Sequence, residues 1–486
     1  MGSVSNSNSN SLESASSADS VTTIVRDARD SLKGYFSGWE NTWKFERYIS
    51  SGLAAHAWIV QHRRQSNEPW QKMVLKTPSA ERMSVSYGKD GQFEDERQLL
   101  DRVRSRHIMK LIQFGDGEDP LAQDGPRDEL GQWIYLEYLQ NGTLTNFMEK
   151  CAKEAYVPNR LLWRIFMCLI RACVALSYVP DGPPVDRYDE NEEVCALTDS
   201  SIGYSHDDLH CDNIMIGDML GNPDDLEHSI CPIFKFIDLD SQTKRPGGEG
   251  RAVQKNLFSV GENMTQVVLR DSEPLGMTEN QDDQNNAKLD VEANDRREKY
   301  AWYQLGGTDP FKTAASYLLP TRNPCPELDP DLRRLICQCT AVARGDRPRL
   351  ADQLLPEVKK AIAERDAAYY EGVAYCDGAN ETDDAVLRFL ERVLGLPPPP
   401  AAAAPSPDQG TPAPPPLPPA VPNPNEAISS PPVGEDFSSP PLGTSPPTGT
   451  PSRGRFTARA RDRREASPDR SAGDSRSRYR QRDNYQ

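Results

Sequence analysis

The stretch YSHDDLHCDNIMIGD, residues 204–218, concentrates side chains that could do chemistry in one short part of the chain. It contains two histidines, one cysteine, four aspartates and one asparagine. Carboxylate and amide oxygens suit acid–base catalysis and hard cations such as Mg2+, whereas imidazole and thiolate ligands suit zinc. The stretch is therefore a candidate catalytic loop, a candidate metal site or a crowded polar turn.

A zinc site on this stretch would use His206 and His210, which are four residues apart like the two histidines of an HExxH helix. Asp207 stands where that helix has its glutamate, and the following NIMIG has the pattern of a strand. The two histidines then need not share a helical face. The ten cysteines of the chain show no paired CxxC spacing, which predicts reduced, mostly buried thiols rather than a zinc ribbon or a disulfide framework.

The segments around the stretch predict strands first and helices later. Residues 22–38 have helical spacing, and residues 43–76 contain short runs rich in aromatic and β-branched residues, which are typical of antiparallel strands. Residues 93–106 are amphipathic, and residues 159–179 have the apolar face of a core helix. We therefore expect an α+β chain with a β-rich N-terminal lobe and a mainly helical C-terminal lobe.

The composition of both ends of the chain predicts disorder. Residues 1–20 are rich in Ser and Asn, residues 397–450 in Pro, and residues 451–486 in Arg and Ser. The last segment has 11 Arg against 5 acidic residues, although the whole chain carries a net charge of -17. Because the body is acidic, we expect contact with nucleic acid only from this Arg/Ser-rich tail.

The sequence contains no signal for export or for insertion in a membrane. It has no run of 18 apolar residues, and its first residues have neither the basic nor the apolar region of an export signal. We therefore expect an intracellular protein, in the cytoplasm, the nucleus or both. The proline-rich stretch PAPPPLPPAVP predicts either a polyproline II ligand for SH3-type or WW-type modules or an extended linker.

The segment HDDLHCDN, residues 206–213, resembles the catalytic loop of protein kinases and related phosphotransferases. The resemblance implies that Asp208 accepts or orients the proton of the attacking hydroxyl and that Asn213 binds a magnesium ion. The segment FKFIDLD, residues 234–240, resembles the strand and DFG turn of a kinase. This second resemblance implies that Asp238 binds the magnesium that bridges the phosphates.

Upstream segments resemble other kinase motifs in the same order. MVLK resembles the VAIK strand and ERQLLDRVRSR resembles helix C, which implies that Lys76 holds the α- and β-phosphates and pairs with Glu96. YLEYLQNGTL resembles the hinge, with Leu136 as gatekeeper. In that resemblance, residues from Glu137 to Leu139 offer backbone groups to the adenine.

The resemblance covers about residues 43–376 and implies a two-lobed protein kinase-like fold that binds ATP and Mg2+. It also implies boundaries between the parts of the chain. These parts are an N-terminal helix or extension at 21–42, an N-lobe with hinge at 43–139, a C-lobe at 140–376 with inserts at 179–203 and 271–299, and a C-terminal helix at 377–396.

The chain departs from the kinase pattern at several positions. The phosphate loop ISSGLAAHA keeps only Gly52, Asp207 replaces an arginine that reads phosphorylation in many kinases, and Asp240 replaces the DFG glycine. Only 18 residues separate Asp238 from Asn256, which begins a motif similar to the start of helix F, and no APE motif is present. These departures predict weaker ATP binding and an incomplete platform for a peptide substrate.

The identity of His210 keeps the substrate class open. Protein kinases usually have a lysine there, and DLHxxN is similar to the aminoglycoside and choline phosphotransferases, which share the fold. The first expectation is a divergent ATP- and Mg2+-dependent protein kinase that transfers the γ-phosphate to Ser or Thr hydroxyls. The alternatives are a pseudokinase or scaffold with a kinase fold, and a phosphotransferase that acts on a small molecule.

Overall fold

A computed structural model of the protein describes residues 25–51, 55–78, 91–103, 105–115, 117–123, 132–179, 202–220, 222, 224–246, 249–273, 275, 277, 300–304, 309–322 and 324–395. Over these residues the chain forms a mixed α+β fold with small antiparallel sheets and helices. Gly52 of the predicted phosphate loop lies outside the described residues. The same holds for the predicted disordered segments 1–20, 397–450 and 451–486, and for most of the inserts 179–203 and 271–299.

Strands and helices follow each other in an order that changes from mainly β to mainly α. The strands are β1 Trp43–Ser51, β2 Ala55–His62, β3 Gln71–Pro78, β4 Leu111–Ile112, β5 Ile134–Glu137, β6 Ile202–His206, β7 Ile214–Ile216, β8 Phe234–Phe236, β9 Gln242–Pro246, β10 Ala301–Tyr303 and β11 Phe311–Thr313. The helices are α1 at residues 25–36, α2 Gly91–Arg102, α3 Pro120–Gln123, α4 Leu144–Cys151, α5 Asn159–Ser177, α6 Arg251–Leu269, α7 Pro330–Cys339, α8 Leu355–Glu364, α9 Ala367–Glu371 and α10 Asp383–Leu394.

The largest sheet has five antiparallel strands in the order β1-β2-β3-β5-β4. Successive side chains of a strand point to opposite faces, so Met73 and Leu75 of β3 pack on the side of α1. Val74 and Lys76 lie on the opposite face, where Lys76 reaches α2. The alternation of side chains in MVLK therefore places Lys76 on the face of the sheet that is turned towards α2.

Helix α1 covers the outer face of this sheet. Its Leu32 and Phe36 are buried and join a cluster that includes Trp43 and Trp58 from the first two strands. The helix is followed by Gly38, whose φ of 95° is accessible to glycine at little cost. The helix predicted for residues 22–38 is thus confirmed over residues 25–36.

Helix α2 lies against the inner face of the sheet. Leu99 and Leu100 are buried in the larger of the two hydrophobic clusters, together with Val103 just after the helix. Glu96 is also buried, at 1 % exposure, because it is three residues before Leu99 and so shares its side of the helix. The amphipathic pattern predicted for this segment is confirmed, and it carries one carboxylate inward.

Helix α5 is buried on all sides rather than on one face. Even its Arg160 and Arg164 are almost fully buried, which goes beyond the single apolar face expected from the sequence. Glu381 accepts hydrogen bonds from the backbone N–H groups of Asn159 (2.8 Å) and Arg160 (3.0 Å) and so stabilises the first turn. No helix in the described part of the chain combines the length and apolar character needed to cross a membrane.

The last helix, α10, belongs to the same core as the helices before it. Its Val386, Phe389, Leu390 and Val393 are buried in the larger hydrophobic cluster. The ring centroids of Phe389 and Phe147, on α4, are 6.5 Å apart. Together with the bonds that Glu381 accepts, this packing ties residues 381–393 to helices α4 and α5.

Two short strand pairs position the stretch 204–218. Strand β6 pairs with β9, and β7 pairs with β8 so that Ile214 lies opposite Phe236. The residues between β6 and β7 form a turn that ends in a 3-10 helix, Cys211–Asn213. Helix α6 packs beneath this turn and holds it by hydrogen bonds that are described below.

Helices α6 and α7 approach most closely at Gly261. A β-carbon on Gly261 would lie 2.6 Å from Cγ2 of Thr340 and 3.0 Å from Cβ of Cys339. We therefore expect Gly261→Ala to lower the free energy of unfolding by about 1–3 kcal/mol, because the two helices must separate. Urea unfolding followed by circular dichroism measures this difference.

Gly34→Ala is the matched control, because Gly34 is also helical but has no atom within 4 Å of an added β-carbon. Its free energy of unfolding should stay unchanged or rise by up to about 1 kcal/mol, from the higher helix propensity of alanine. Equal stability of Gly261→Ala and wild type would contradict the close packing of the two helices.

Candidate active site

The ammonium group of Lys76 lies between two carboxylates that come from distant parts of the chain. Its Nζ is 2.9 Å from Oε2 of Glu96 and 2.5 Å from Oδ1 of Asp238. Lys76 is on β3, Glu96 is on α2, and Asp238 follows β8. The pairing expected between Lys76 and Glu96 is therefore present, and Asp238 joins it.

Burial and the neighbouring carboxylates shift the pKa of the Lys76 ammonium in opposite directions. Burial alone would lower the pKa of Lys76, but the carboxylates of Glu96 and Asp238 outweigh it and raise that pKa above its usual value. Burial raises the pKa of Glu96, against the attraction of the Lys76 ammonium. Asp240 acts on both groups in the same direction as Asp238, so the site has more negative than positive charge.

His206 anchors the beginning of the candidate catalytic loop. Its Nε2 donates to the carbonyl of Ile237 (2.9 Å), and its Nδ1 accepts from the backbone N–H of Asp208 (3.4 Å). Burial lowers the pKa of His206, which keeps the ring neutral with one donor and one acceptor. Both ring nitrogens are thus used, which argues against a zinc site on His206 and supports a structural role.

Asn256 of α6 holds the loop from below. Its Oδ1 accepts from the backbone N–H of His206 (2.9 Å), and its Nδ2 donates to the carbonyl of Tyr204 (2.9 Å). The side chain is fully buried, so these two bonds satisfy an amide that would otherwise be costly to bury. An aspartate at this position would lose the second bond, which makes asparagine the better fit to this backbone.

Asp207 connects the loop to the segment after Asp238. Its carboxylate accepts hydrogen bonds from Ser205 (2.7 Å) and Thr243, and it forms an ion pair with Lys255 (2.7 Å). Burial would raise the pKa of Asp207, but these three partners outweigh it and lower that pKa. Asp207 therefore binds side chains of this chain directly.

Asp208 and Asn213 are joined within the loop. Nδ2 of Asn213 donates to the backbone carbonyl of Asp208 at 2.9 Å, so the amide oxygen is the atom that Asn213 can offer to a cation. The side chain of Asp208 is 60 % exposed, as an acceptor-facing carboxylate should be. His210 caps the 3-10 turn through Nδ1, and its Nε2 is 3.7 Å from Oδ2 of Asp208.

Asp238 is adjacent to this loop because of the strand pairing. The N–H of Ile237 donates to the carbonyl of Asn213 at 3.0 Å, which brings the end of β8 alongside the loop. Asp238 itself has a φ of 61°, a conformation that is uncommon for residues other than glycine. Such backbone conformations are concentrated at functional sites, where the surrounding structure holds them in place.

The predicted hinge residues lie at the end of β5. Glu137 is opposite Met73 on β3, which is about 10 Å along that strand from Lys76. The Glu137 N–H donates to the carbonyl of Lys110, so its carbonyl is the group left for the predicted adenine contact. Leu139 is buried near Gly217, close to the end of β7.

Several groups around the site were not predicted from the sequence. Oε1 of Glu137 binds both the backbone N–H of Lys110 (2.7 Å) and the ammonium of Lys235 (2.7 Å). Sγ of Cys211 lies 2.8 Å from Oδ1 of Asn263, and burial raises the pKa of this thiol. A lysine between two phenylalanines in FKF is the one sequence signal that could have indicated a buried partner for Glu137.

The oxygen donors at this site fit a magnesium ion. A carboxylate from Asp238 and an amide oxygen from Asn213 are hard ligands of the type that Mg2+ prefers, and Asp240 adds a further negative charge nearby. Within the part of the chain that the structure describes, the ammonium of Lys76 is the one cation paired with Glu96 and Asp238. A divalent cation would therefore reduce the excess of negative charge.

No protein-family model matches the chain, and no curated protein matches it. The candidate site is defined by its geometry alone. Of the predicted site residues, Lys76, Glu96 and Asp238 are in direct contact, and Asp208 and Asn213 are bonded to each other beside them.

The charge balance at Lys76 predicts a measurable effect on stability. Lys76→Met should lower the free energy of unfolding by about 3–5 kcal/mol, because it leaves the buried carboxylate of Glu96 without a partner. The additional change Glu96→Leu should recover part of that loss, since both buried charges are then removed. Urea unfolding of the single and double variants gives the comparison.

The loss in Lys76→Met should also depend on pH. Burial keeps the folded-state pKa of Glu96 above its ordinary value, so protonated Glu96 stabilises the fold at low pH. This contribution is lost as the pH rises through the folded-state pKa, and the variant should be more destabilised at pH 8 than at pH 5. Lys72→Met is the control, because Lys72 forms a surface pair with Glu46 and an exposed contact with the ring of Tyr138. It should change stability by less than about 1 kcal/mol.

Proposed function

We propose that the protein is an ATP- and Mg2+-dependent phosphotransferase with a two-lobed, protein kinase-like fold. The observation that carries this proposal is the position of the Lys76 ammonium, which is 2.9 Å from Glu96 and 2.5 Å from Asp238. The resemblance to kinase motifs implies that Lys76 pairs with Glu96 and that Asp238 binds magnesium at the same phosphates, although the three residues are far apart in the sequence. Their contact supports the whole set of roles.

The arrangement of the elements supports the same fold. A five-stranded antiparallel sheet comes first, α2 lies between β3 and β4, and a mainly helical part follows β5. The short pairs β6-β9 and β7-β8 hold the candidate catalytic loop between them. This order agrees with the order of the motifs in the sequence.

Each charged residue has a separate task in the proposed reaction. Lys76 binds the α- and β-phosphates, and Asp208 orients the acceptor hydroxyl and takes up its proton. The acceptor oxygen forms a bond to the γ-phosphorus while the bond from that phosphorus to the ADP oxygen breaks. Asn213 and Asp238 hold Mg2+, which neutralises charge on the phosphates when bound.

We propose a Ser or Thr hydroxyl of a protein as the first acceptor. A small-molecule hydroxyl is the second candidate, and the segment after Asp238 favours it. This segment turns into β9, which pairs back onto β6, and α6 begins at Arg251. Few residues are then available to form a surface for a peptide.

We propose separate partners for the two C-terminal segments. Residues 397–450 are proposed to bind SH3-type or WW-type modules through their proline stretches. Residues 451–486 are proposed as the only part of the chain that contacts nucleic acid, because their charge is opposite to that of the body. Both segments lie outside the described residues.

Two substitutions separate the tasks of the aspartates. Asp208→Asn should lower turnover by at least about 100-fold, because the asparagine cannot accept the proton. Asp238→Asn should weaken the binding of ATP in the presence of Mg2+, because one charged ligand is lost. Labelled ATP, offered with protein acceptors and with small molecules in separate reactions, measures the transfer.

Asp346→Asn is the matched control, because Asp346 is exposed and lies in a different 3-10 turn. It should transfer phosphate at the wild-type rate. Transfer to small molecules alone would replace the protein acceptor by the second candidate. Unchanged turnover in both Asp208→Asn and Asp238→Asn would rule out the proposed reaction.

Nucleotide binding can be tested independently of the acceptor. A thermal-shift titration with ATP and Mg2+ should raise the melting temperature, with a stabilisation of about 1.4 kcal/mol when ATP is at ten times its Kd. The shift should fall when Mg2+ is replaced by a chelator, and it should fall in Asp238→Asn. If millimolar ATP with Mg2+ leaves wild type unchanged, the protein is better explained as a scaffold with a kinase-like fold.

A further inference from the structure

A second cluster of side chains with metal-binding chemistry lies away from the candidate active site. His107, Cys168 and His228 are all fully buried, and one ligand atom of each lies within 4.8 Å of the ligand atoms of the other two. His107 follows α2, Cys168 is in the middle of α5, and His228 lies between β7 and β8. Three separate segments therefore meet at this point.

The distances within the cluster suit a small tetrahedral ion. Sγ of Cys168 is 3.5 Å from Nε2 of His228. In a tetrahedral zinc site, with Zn–S of about 2.3 Å and Zn–N of about 2.0–2.1 Å, a sulfur and a nitrogen ligand are about 3.6 Å apart. The observed separation is thus close to one edge of such a tetrahedron.

Both histidines are oriented by hydrogen bonds on the ring nitrogen that faces away from Cys168. Nδ1 of His228 is 3.1 Å from a carboxylate oxygen of Asp225, which also pairs with Arg106. Nδ1 of His107 donates to the carbonyl of Phe234 at 3.3 Å. Histidine ligands of metals are usually held in this way by a carboxylate or a carbonyl, which leaves Nε2 for the metal.

Cys231 supplies a second buried thiol, on the segment that carries His228. It is fully buried next to Cys168, and its Sγ donates to the carbonyl of Pro232 at 3.2 Å. To become the fourth donor, this thiol would give up its bond to Pro232 and turn towards the other three ligands. Cys231 and His228 are three residues apart in the sequence EHSIC, so one short segment contributes both a nitrogen and a sulfur. A set of two cysteines and two histidines is a common ligand set for structural zinc.

We propose that His107, Cys168, His228 and Cys231 bind a structural Zn2+ ion. The site is closed, because all four residues have an exposure of zero. Catalytic zinc sites keep one position open for water or substrate, whereas structural sites use four protein ligands. The proposed ion therefore serves the fold and takes no part in the phosphotransfer proposed above.

Charge balance also favours a divalent cation here. On binding, each cysteine contributes a thiolate, and the protons released pass to the solvent. Two thiolates and two neutral imidazoles around Zn2+ give a complex without net charge, which is the least costly form to bury. Without the ion, the same cluster must be satisfied by hydrogen bonds among its own thiols and imidazoles.

The position of the cluster gives the ion a structural task. The backbone of His107 is bonded to Phe236 of β8, which ends two residues before Asp238. His228 and Cys231 fix the segment between β7 and β8, and Cys168 fixes both to the central helix α5. Zinc would thus hold β8 against the core through the contacts of His107 with the backbone of that strand.

The test uses the full-length protein, expressed in medium with zinc and purified without chelator. Elemental analysis should find about one zinc ion per chain. After removal of the metal, Co2+ should bind with the same stoichiometry and give the visible spectrum of a tetrahedral site with thiolate ligands. A thermal melt should show that removal of the ion destabilises the fold, since a structural ion binds only the folded state.

Two alanine variants on the same helix separate metal binding from packing. Cys168→Ala should lower the affinity for Zn2+ by more than about 100-fold, because it removes a ligand. Cys173→Ala removes an equally buried thiol five residues further along α5 and should keep the zinc. Asp225→Asn keeps all four ligands and should weaken zinc binding by about 10–100-fold, because it loosens the orientation of His228.

The outcomes are distinguishable even if Cys168→Ala fails to fold. Wild type that contains no zinc, and that binds neither Zn2+ nor Co2+ after purification, would show that the cluster is only hydrogen-bonded. Zinc that stays fully bound in Cys168→Ala or in Cys231→Ala would also overturn the proposal. Phosphotransfer activity is not used as a readout, so failure of the proposed function would leave this result unaffected.

Discussion

The ion pair of Lys76 with Glu96 and Asp238 joins three elements that also share the larger hydrophobic cluster. A buried ammonium is costly unless carboxylates surround it, so β3, α2 and the end of β8 are constrained to approach one point. Removing one member of this ion pair leaves the charge of another without a partner and poorly solvated. The position of the Lys76 ammonium therefore fixes both the local packing of these elements and the electrostatic field at the candidate active site.

Neutral groups hold the backbone of the loop beside this ion pair, in addition to the ion pair of Asp207 with Lys255. His206 is uncharged and bonds to Ile237, and Asn256 bonds to the backbone on both sides of Ser205. Neutral hydrogen bonds fix geometry without adding charge to a site that already has an excess of carboxylates. Asp208 can then keep its exposure, since its backbone is positioned by neighbours rather than by its own side chain.

The sequence predicts those parts of this arrangement that depend on local period and composition. The residue types of β3 indicated a strand, the spacing in α2 indicated an amphipathic helix, and the apolar pattern of α5 indicated a core helix. The pairing of Lys76 with Glu96 was implied only by the resemblance to kinase motifs. Contacts between distant residues could not be predicted in this way. No local pattern predicts that Glu381 stabilises the first turn of α5, because its partners there are 221 and 222 residues away in the sequence.

The cluster of buried histidines and cysteines could not be predicted from local sequence patterns either. His107 and Cys168 are 61 positions apart in the sequence, so no spacing rule joins them, and only His228 and Cys231 have a spacing that resembles a ligand pair. The backbone of His107 is bonded to Phe236 on β8, and Asp238 follows the same strand by two residues. Strand β8 thus connects the fully buried histidines and cysteines to the negatively charged group around Lys76. The zinc ion proposed above would hold β8 and would therefore limit the movement of the Asp238 carboxylate.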